Sequence, residues 1–318
     1  MILNIVFLII GFVILIKGAD MFVDGASGIA ENFKVPKMLI GLTIVAFGTS
    51  APEFAVSVKS LIAGSGDIVL GNVIGSNILN ILLILGVAAL VHSLNVKNNT
   101  VRKELPITLM ITLAFSVLLS DNLFSKELTN SFSRGDGIVL ILFFGVFMYY
   151  LISMSRKKVE EVSSEEYPTM LKSVIFTIIG LAGIVFGSNF VVDGASGLAH
   201  IIGISERMIS LTVVALGTSL PELVTSVTAT RKGEYDIAIG NVVGSNIFNI
   251  GLVIGLPIAL FGGINNVNFS YIDMIVMILS ALLLFLFSLK DRKISKKEGL
   301  LFILIFIGYY SYVIFGQV

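Results

Sequence analysis

The sequence predicts an all-α polytopic membrane protein, with ten transmembrane helices arranged as two inverted-topology five-helix repeats. Three observations support this fold class. The composition is too apolar for a water-soluble surface, ten apolar blocks have the length of a membrane span, and one long segment recurs in the second half of the chain. Together they imply two equivalent halves within one bilayer.

The composition excludes several classes of protein. Hydrophobic residues make up 56% of the 318 residues and charged residues 13%, whereas soluble domains carry about 25% charged residues. Lys plus Arg and Asp plus Glu balance at 21 each, so no positive field favours nucleic acid. With no Cys and two His, thiolate and histidine metal sites are excluded. We therefore expect oxygen ligands, no cofactor, the lipid bilayer as surroundings and no obligatory protein partner.

Ten apolar blocks are long enough to cross a bilayer, which takes about 20 residues. Backbone groups in hydrocarbon must bond internally, and the blocks exceed the length of barrel strands, so helices are expected. The opening stretch lacks a basic region and a cleavage site, so we expect a first span rather than a signal peptide. The blocks cover residues 2–30, 38–63, 67–92, 105–120, 137–154, 172–200, 208–230, 236–262, 271–289 and 299–315.

One charged connector near the middle of the chain sets the domain boundaries. It predicts a first repeat at 1–154, a linker at 155–171 and a second repeat at 172–318. If the N-terminus is outside, sixteen Lys and Arg residues fall on the linker side and four on the other. The positive-inside rule therefore predicts a multi-pass protein of the plasma membrane with a cytoplasmic linker and both termini outside.

An internal repeat relates the two halves. Residues 18–80 align without a gap onto 187–249 at an offset of 169, with 31 identities in 63 positions. The first copy contains GTSAPE and GNVIGSN, and the second contains GTSLPE and GNVVGSN. Because each copy heads an odd number of spans, the second enters the membrane in the opposite orientation. Inverted repeats bring matching segments together near the midplane, where transporters of this type bind their substrates.

The candidate site centres on two glutamates in the repeated motifs. Glu53 and Glu222 lie midway through apolar blocks, where an ionisable residue costs about 2.5–3.5 kcal/mol and marks a functional pathway. Pro52 and Pro221 interrupt the helices beside them. Helical spacing places hydroxyl residues on the face of each glutamate and pairs a serine with an asparagine in the second motif. These residues are Thr49, Ser50, Thr218 and Ser219, and Ser76, Asn80, Ser245 and Asn249.

These groups offer carboxylate, hydroxyl, amide and carbonyl oxygens, which suit sodium and calcium. Calcium takes six to eight oxygens at about 2.3–2.6 Å, a number that two half-sites can supply together. Two carboxylates balance one calcium ion or two sodium ions, whereas a third sodium ion would leave the site positive. Four further asparagines of the motifs are expected to cap the interrupted helices. They are Asn72, Asn77, Asn241 and Asn246.

The paired motifs resemble the two alpha-repeats of the sodium/calcium exchanger family, within the calcium/cation antiporter superfamily, and the match is to a compact prokaryotic type. The resemblance implies a secondary active antiporter, not an enzyme, that exchanges sodium for calcium by alternating access and extrudes calcium electrogenically. It implies that Glu53 and Glu222 bind both ions and that Asn80 lines the centre. It assigns to the calcium site the carbonyls of Thr49 and Thr218, and to flanking sodium sites Ser50, Ser76, Ser219, Ser245, Ala46 and Ala215.

One departure from the family pattern leaves alternatives open. Relatives often have an aspartate where this chain has Asn249, so the ion ratio and the participation of protons stay undecided. A proton/calcium antiporter would use the same glutamates as proton acceptors. A cation channel would show conductance without a counter-ion, and an intramembrane enzyme would need a nucleophile motif that the sequence lacks.

Overall fold

The computed structural model describes residues 1–120, 122, 130–156, 168–204, 209, 213, 215–267 and 269–315, and these are mostly helical. The helices are α1 (Ile2–Phe33), α2 (Lys37–Thr49), α3 (Ala51–Ile62), α4 (Gly66–Val91), α5 (Leu105–Leu118), α6 (Arg134–Ser155), α7 (Met170–Ile201), α8 (Ala215–Thr218), α9 (Leu220–Arg231), α10 (Tyr235–Phe261), α11 (Tyr271–Asp291) and α12 (Lys296–Phe315). Short strands form two antiparallel pairs near the helix ends. They are β1 (Leu94–Asn95) with β4 (Lys293–Ile294), and β2 (Asn130–Phe132) with β3 (Ile264–Val267).

Within the described ranges, seven helices are long and apolar enough to cross a membrane, or up to eight if the bent pair of α2 and α3 is one span. The membrane-spanning character predicted from composition is therefore confirmed. A π-helical turn, Thr100–Glu104, precedes α5, so this helical segment begins before the predicted block. The predicted block 208–230 and the linker 155–171 lie partly outside the described residues.

The two longest helices, α1 and α7, have 32 residues each and pack directly against each other. A Cβ added to Gly18 would lie 2.9 Å from the carbonyl oxygen of Gly180, and one added to Gly11 would lie 2.9 Å from that of Gly187. Because contacts move up one helix as they move down the other, the helices are antiparallel. Only glycine permits backbones to approach so closely, as in other membrane helix pairs.

Helices α4 and α10 form the centre of the molecule. Of the residues in their membrane-spanning stretches, 78% and 83% are buried, against 22% in α1 and 33% in α7. The motif GNVIGSN lies on α4 and GNVVGSN lies on α10. The most polar repeated motifs are thus on the most buried helices, where a polar side chain must find a partner inside the protein.

Ion pairs connect α1 to the turn between α9 and α10. Lys232 Nζ lies 2.7 Å from a carboxylate oxygen of Asp24 and 3.7 Å from one of Asp20. Lys37, just after α1, lies 2.7 Å from Glu234. These pairs join α1 and the start of α2 to the same turn before the buried helix α10.

Candidate cation site

Both GTSxPE motifs contain a helix break at their serine. Ser50 separates α2 from α3 with φ −84° and ψ 6°, and Ser219 separates α8 from α9 with φ −92° and ψ 3°. Pro52 and Pro221 lie in the first turn of the helix that follows, where the missing N–H of proline is tolerated. The first break bends its helix pair by 46°. The predicted interruptions are therefore present at both motifs.

The glutamates of the two motifs are both buried, at 1% exposure each. Glu222 accepts a hydrogen bond from Ser50 Oγ at 2.9 Å through one oxygen, while its other oxygen has no partner in the described part of the chain. Neither oxygen of Glu53 accepts a hydrogen bond of normal geometry, although Thr218 and Ser219 lie beside it. A buried carboxylate without donors is costly, and a cation would supply the missing partner.

The partners of the glutamates come from the opposite repeat. Helical spacing places Ser50 on the same face as Glu53, but its hydroxyl donates to Glu222 instead. On the other side, Ser219 lies beside Glu53. Because the helix is broken at each serine, helical spacing does not extend from the serine to the glutamate that follows. The serine of each motif thus lies beside the glutamate of the other motif, and each half-site contains residues of both repeats.

Asn72 and Asn241 support the glutamates in equivalent ways. The Nδ2 of Asn72 donates to the backbone carbonyl of Glu53 at 3.1 Å, and that of Asn241 donates to the backbone carbonyl of Glu222 at 3.3 Å. Each Nδ2 also donates to a serine hydroxyl, at 3.0 and 2.9 Å. These asparagines lie inside α4 and α10. The prediction that they cap helices is therefore wrong, because they join two helices instead.

Each central helix contains a π-helical turn, Asn80–Leu85 in α4 and Asn249–Ile254 in α10. Such turns are frequent at functional sites. Both begin at the asparagine predicted to line the site. These turns could not be predicted from the sequence, because an asparagine followed by five mostly apolar residues is equally compatible with an ordinary α-helix.

Asn80 and Asn249 are held by amides of the other repeat. Asn80 Nδ2 donates to Asn246 Oδ1 at 2.9 Å, and Asn249 Nδ2 donates to Asn77 Oδ1 at 3.2 Å. The Oδ1 atoms of Asn80 and Asn249 are buried and have no hydrogen-bond partner within the described ranges. Each residue therefore offers a free carbonyl oxygen.

The remaining predicted ligands join the same network. Ser245 Oγ lies 2.9 Å from Ser50 Oγ, and Ser76 Oγ accepts from Asn249 Nδ2 at 3.2 Å. Thr49 Oγ1 donates to the side-chain oxygen of Asn241 at 3.0 Å. Ala46 is buried, and its carbonyl accepts the N–H of Ser50 at 3.0 Å. The side chain of Ala215 lies outside the described residues.

Six oxygen atoms of this cluster are buried without a hydrogen-bond partner among the residues that the structure describes. They are Glu53 Oε1 and Oε2, Glu222 Oε2, Ser219 Oγ, Asn80 Oδ1 and Asn249 Oδ1. Within those same ranges, no group of three or more His, Cys, Asp or Glu side chains could hold a metal ion. A cation here would bind two carboxylates and neutral oxygens, a donor set that suits a hard ion such as calcium or sodium.

Apolar spans around buried oxygen ligands define the class: this is a membrane transporter of cations. The sequence pattern of the family described as "Sodium/calcium exchanger protein" matches residues 3–153 and 172–315. The chain therefore belongs to the sodium/calcium exchanger family, whose members are antiporters and not enzymes. This confirms the family resemblance seen in the motifs.

Relatives match over nearly the full length of the chain. A "Putative antiporter CaxA" from Alkalimonas amylolytica is 38% identical, over 98% of this chain and 98% of the relative. The "Sodium/calcium exchanger MaX1" from Methanosarcina acetivorans is 33% identical, over 96% and 97%. A solved structure of the sodium-calcium exchanger NCX_Mj has a TM-score of 0.84 and 33% identity, and the match covers 96% of this chain and 97% of that one. The protein is thus an antiporter of the cation/calcium class.

Proposed function

We propose that this protein exchanges sodium for calcium across the plasma membrane by alternating access, and that the sodium gradient drives electrogenic extrusion of calcium. The main support is the cluster of six buried oxygens that lack hydrogen-bond partners in the described part of the chain. Leaving such acceptors without donors is costly, and an ion that binds there removes the cost. Because the cluster draws on both repeats, one shared site serves both ions in turn.

The proposed ligands are the residues in and beside the two motifs that the sequence predicts. Glu53 and Glu222 bind both ions, with the carbonyls of Thr49 and Thr218 joining the calcium site. Asn80 and Asn249 line its centre. The flanking sodium sites comprise Ser50, Ser76, Ser219, Ser245, Ala46 and Ala215.

The proposed architecture has ten spans in two inverted repeats, 1–154 and 172–318, joined by a cytoplasmic linker at 155–171, with both termini outside. Support comes from the antiparallel packing of α1 against α7, which begin the two repeats. Further support comes from the hydrogen bonds that recur at the offset of 169. Spans that enter the membrane in opposite directions explain both features.

Electrogenic exchange requires more than two sodium ions for each calcium ion, and we propose three. Two carboxylates neutralise one calcium ion, whereas three sodium ions would leave the loaded site with a net positive charge. The two loaded states then differ in charge, so the cycle responds to membrane voltage. Moving one elementary charge across 100 mV is worth about 2.3 kcal/mol.

Uptake of radioactive calcium into proteoliposomes tests this function. Vesicles loaded with sodium are diluted into sodium-free buffer, in parallel with vesicles that hold only a proton gradient. We expect sodium-dependent uptake, its loss in Glu53→Gln and in Glu222→Gln, and its retention in the matched control Glu298→Gln at the start of α12. An inside-positive potential should speed this uptake if exchange is electrogenic, because three sodium ions leave the vesicle for each calcium ion that enters.

Two other outcomes would contradict the proposal. Uptake driven by protons without sodium would indicate proton/calcium antiport. Uptake unaffected by either glutamate substitution would show that the site has been assigned to the wrong residues.

A further inference from the structure

Four asparagines at the centre of the molecule form two reciprocal pairs between the repeats. Asn246 accepts from Asn80, and Asn77 accepts from Asn249, at 2.9 and 3.2 Å. All four side chains are buried, with exposures of 1% or 2%. Each pair therefore joins one residue of the proposed ion site to one that was expected to be only a helix cap.

A buried amide can face a cation in two ways. Its Oδ1 is an acceptor and its Nδ2 a donor, and the ends have nearly the same shape. With Nδ2 toward the ion, the dipole would repel it. The hydrogen-bond partner of Nδ2 decides which end faces the ion. In Asn80 and Asn249, Nδ2 is engaged and Oδ1 is left without a partner among the described residues.

The two pairs are anchored to different degrees. Asn246 is itself fixed, because its Nδ2 donates to the backbone carbonyl of Asn77 at 3.3 Å. Asn249 has a second acceptor in Ser76 Oγ at 3.2 Å. Among the residues that the structure describes, Asn80 Nδ2 donates to Asn246 Oδ1 alone. The orientation of Asn80 thus depends more on its partner than that of Asn249 does.

We propose that Asn246 and Asn77 are positioning residues of the cation site, which hold the amides of Asn80 and Asn249 with their oxygens toward the ion. This inference rests on the proposed function and extends it to residues that do not contact the ion. It also explains how the neutral side chain of Asn249 can replace a carboxylate. A carboxylate has two equivalent oxygens and needs no partner to orient it, whereas an amide must be held with its oxygen toward the ion.

Direct binding of radioactive calcium to purified protein in detergent, without sodium, tests the proposal separately from transport. Asn246→Leu removes the acceptor at similar volume and should weaken calcium binding about tenfold or more, as for other residues that orient metal ligands. Asn246→Asp restores an acceptor and should bind more tightly than Asn246→Leu. Asn77→Leu should weaken binding less, because Ser76 still holds Asn249.

A double substitution separates orientation from general damage. A carboxylate at position 80 has no wrong end, so adding Asn246→Leu to Asn80→Asp should cost little or nothing. The same tenfold loss in both backgrounds would overturn the proposal. If Asn246→Leu does not elute as a single species, Asn77→Leu with and without Asn249→Asp provides a cycle of the same design, in which the expected loss is smaller.

Two results distinguish failure of the positioning role from failure of the proposed function. No calcium binding by the wild-type protein would contradict the proposed function itself. Wild-type binding that Asn246→Leu and Asn77→Leu leave unchanged would contradict only the positioning role.

Discussion

The two glutamates of the site share the motif GTSxPE but have different surroundings. Glu222 accepts a hydrogen bond from Ser50, whereas the equivalent hydroxyl, Ser219, is buried without a hydrogen-bond partner in the described part of the chain, and both oxygens of Glu53 lack normal donors. Each motif contains GTS, a proline and a glutamate. The hydroxyl and carboxyl groups are thus the same in both motifs, and their hydrogen bonds are not.

This asymmetry predicts that the two half-sites respond differently to a bound cation. A carboxylate that accepts a serine hydroxyl is partly satisfied without a cation, whereas one without donors depends on it. We expect the half-site of Glu53 to respond most strongly to the ion, and that of Glu222 to keep its geometry when the ion leaves. Substitutions at matched positions of the two repeats test this difference.

The largest effect is expected at Ser50, and a smaller one at the equivalent Ser219. Ser50→Ala removes the donor to a buried carboxylate, and hydrogen bonds to charged groups contribute about 1.5–3 kcal/mol. It should lower the melting temperature of the ion-free protein clearly, whereas Ser219→Ala should lower it less. Thermal unfolding in detergent without sodium or calcium measures both. Equal losses in the two variants would contradict the asymmetry.

The glycine contact between α1 and α7 should respond equally in the two repeats. A Cβ at Gly18 or at Gly180 would meet backbone atoms within 3 Å, and overpacking of this kind costs about 1–3 kcal/mol. Gly18→Ala and Gly180→Ala should therefore lower the unfolding temperature by similar amounts. The control is Gly308→Ala, because no atom lies within 4 Å of its added Cβ. A loss in only one of Gly18→Ala and Gly180→Ala would mean that the contact is not equivalent in the two repeats.

The smallest effect is expected at the ion pairs between α1 and the turn before α10. Asp24 lies 2.7 Å from Lys232, whereas Asp193, its repeat equivalent, is exposed, and the position equivalent to Lys232 is Ala63. Exposed ion pairs contribute about 0.2–1 kcal/mol, and salt weakens them. Asp24→Asn should thus destabilise the protein slightly at low salt and Asp193→Asn should not. Identical melting curves for the two variants at low salt would show that the pair contributes nothing.

Much of the site could be predicted from the repeat alone. The motifs located both glutamates and both helix breaks, because a proline after an apolar run and an acid within it have few structural interpretations. Asn80 and Asn249 were likewise expected at the site. The repeat also indicated which positions are equivalent.

The contacts between repeats could not be predicted from the sequence. Helical spacing could not show that Ser50 meets Glu222, because the spacing is lost at the break and the partner is 172 residues away. The amide pairs of Asn77 and Asn246 were missed for the same reason. The glycines at 11, 18, 180 and 187 were visible in the sequence, but their seven-residue spacing gains meaning only when a second helix is placed against them.

The contact between α1 and α7 is self-complementary. Gly11 meets Gly187 as Gly180 meets Gly18, and each pair is the copy of the other at the offset of 169. Such a contact is isologous, the kind that joins two identical subunits about a two-fold axis. One half of the sequence thus contains both surfaces of the contact. A half-length ancestor with this glycine contact has the surface needed to pair with a second copy of itself. Fusion of two such genes then needs only a connector between the copies.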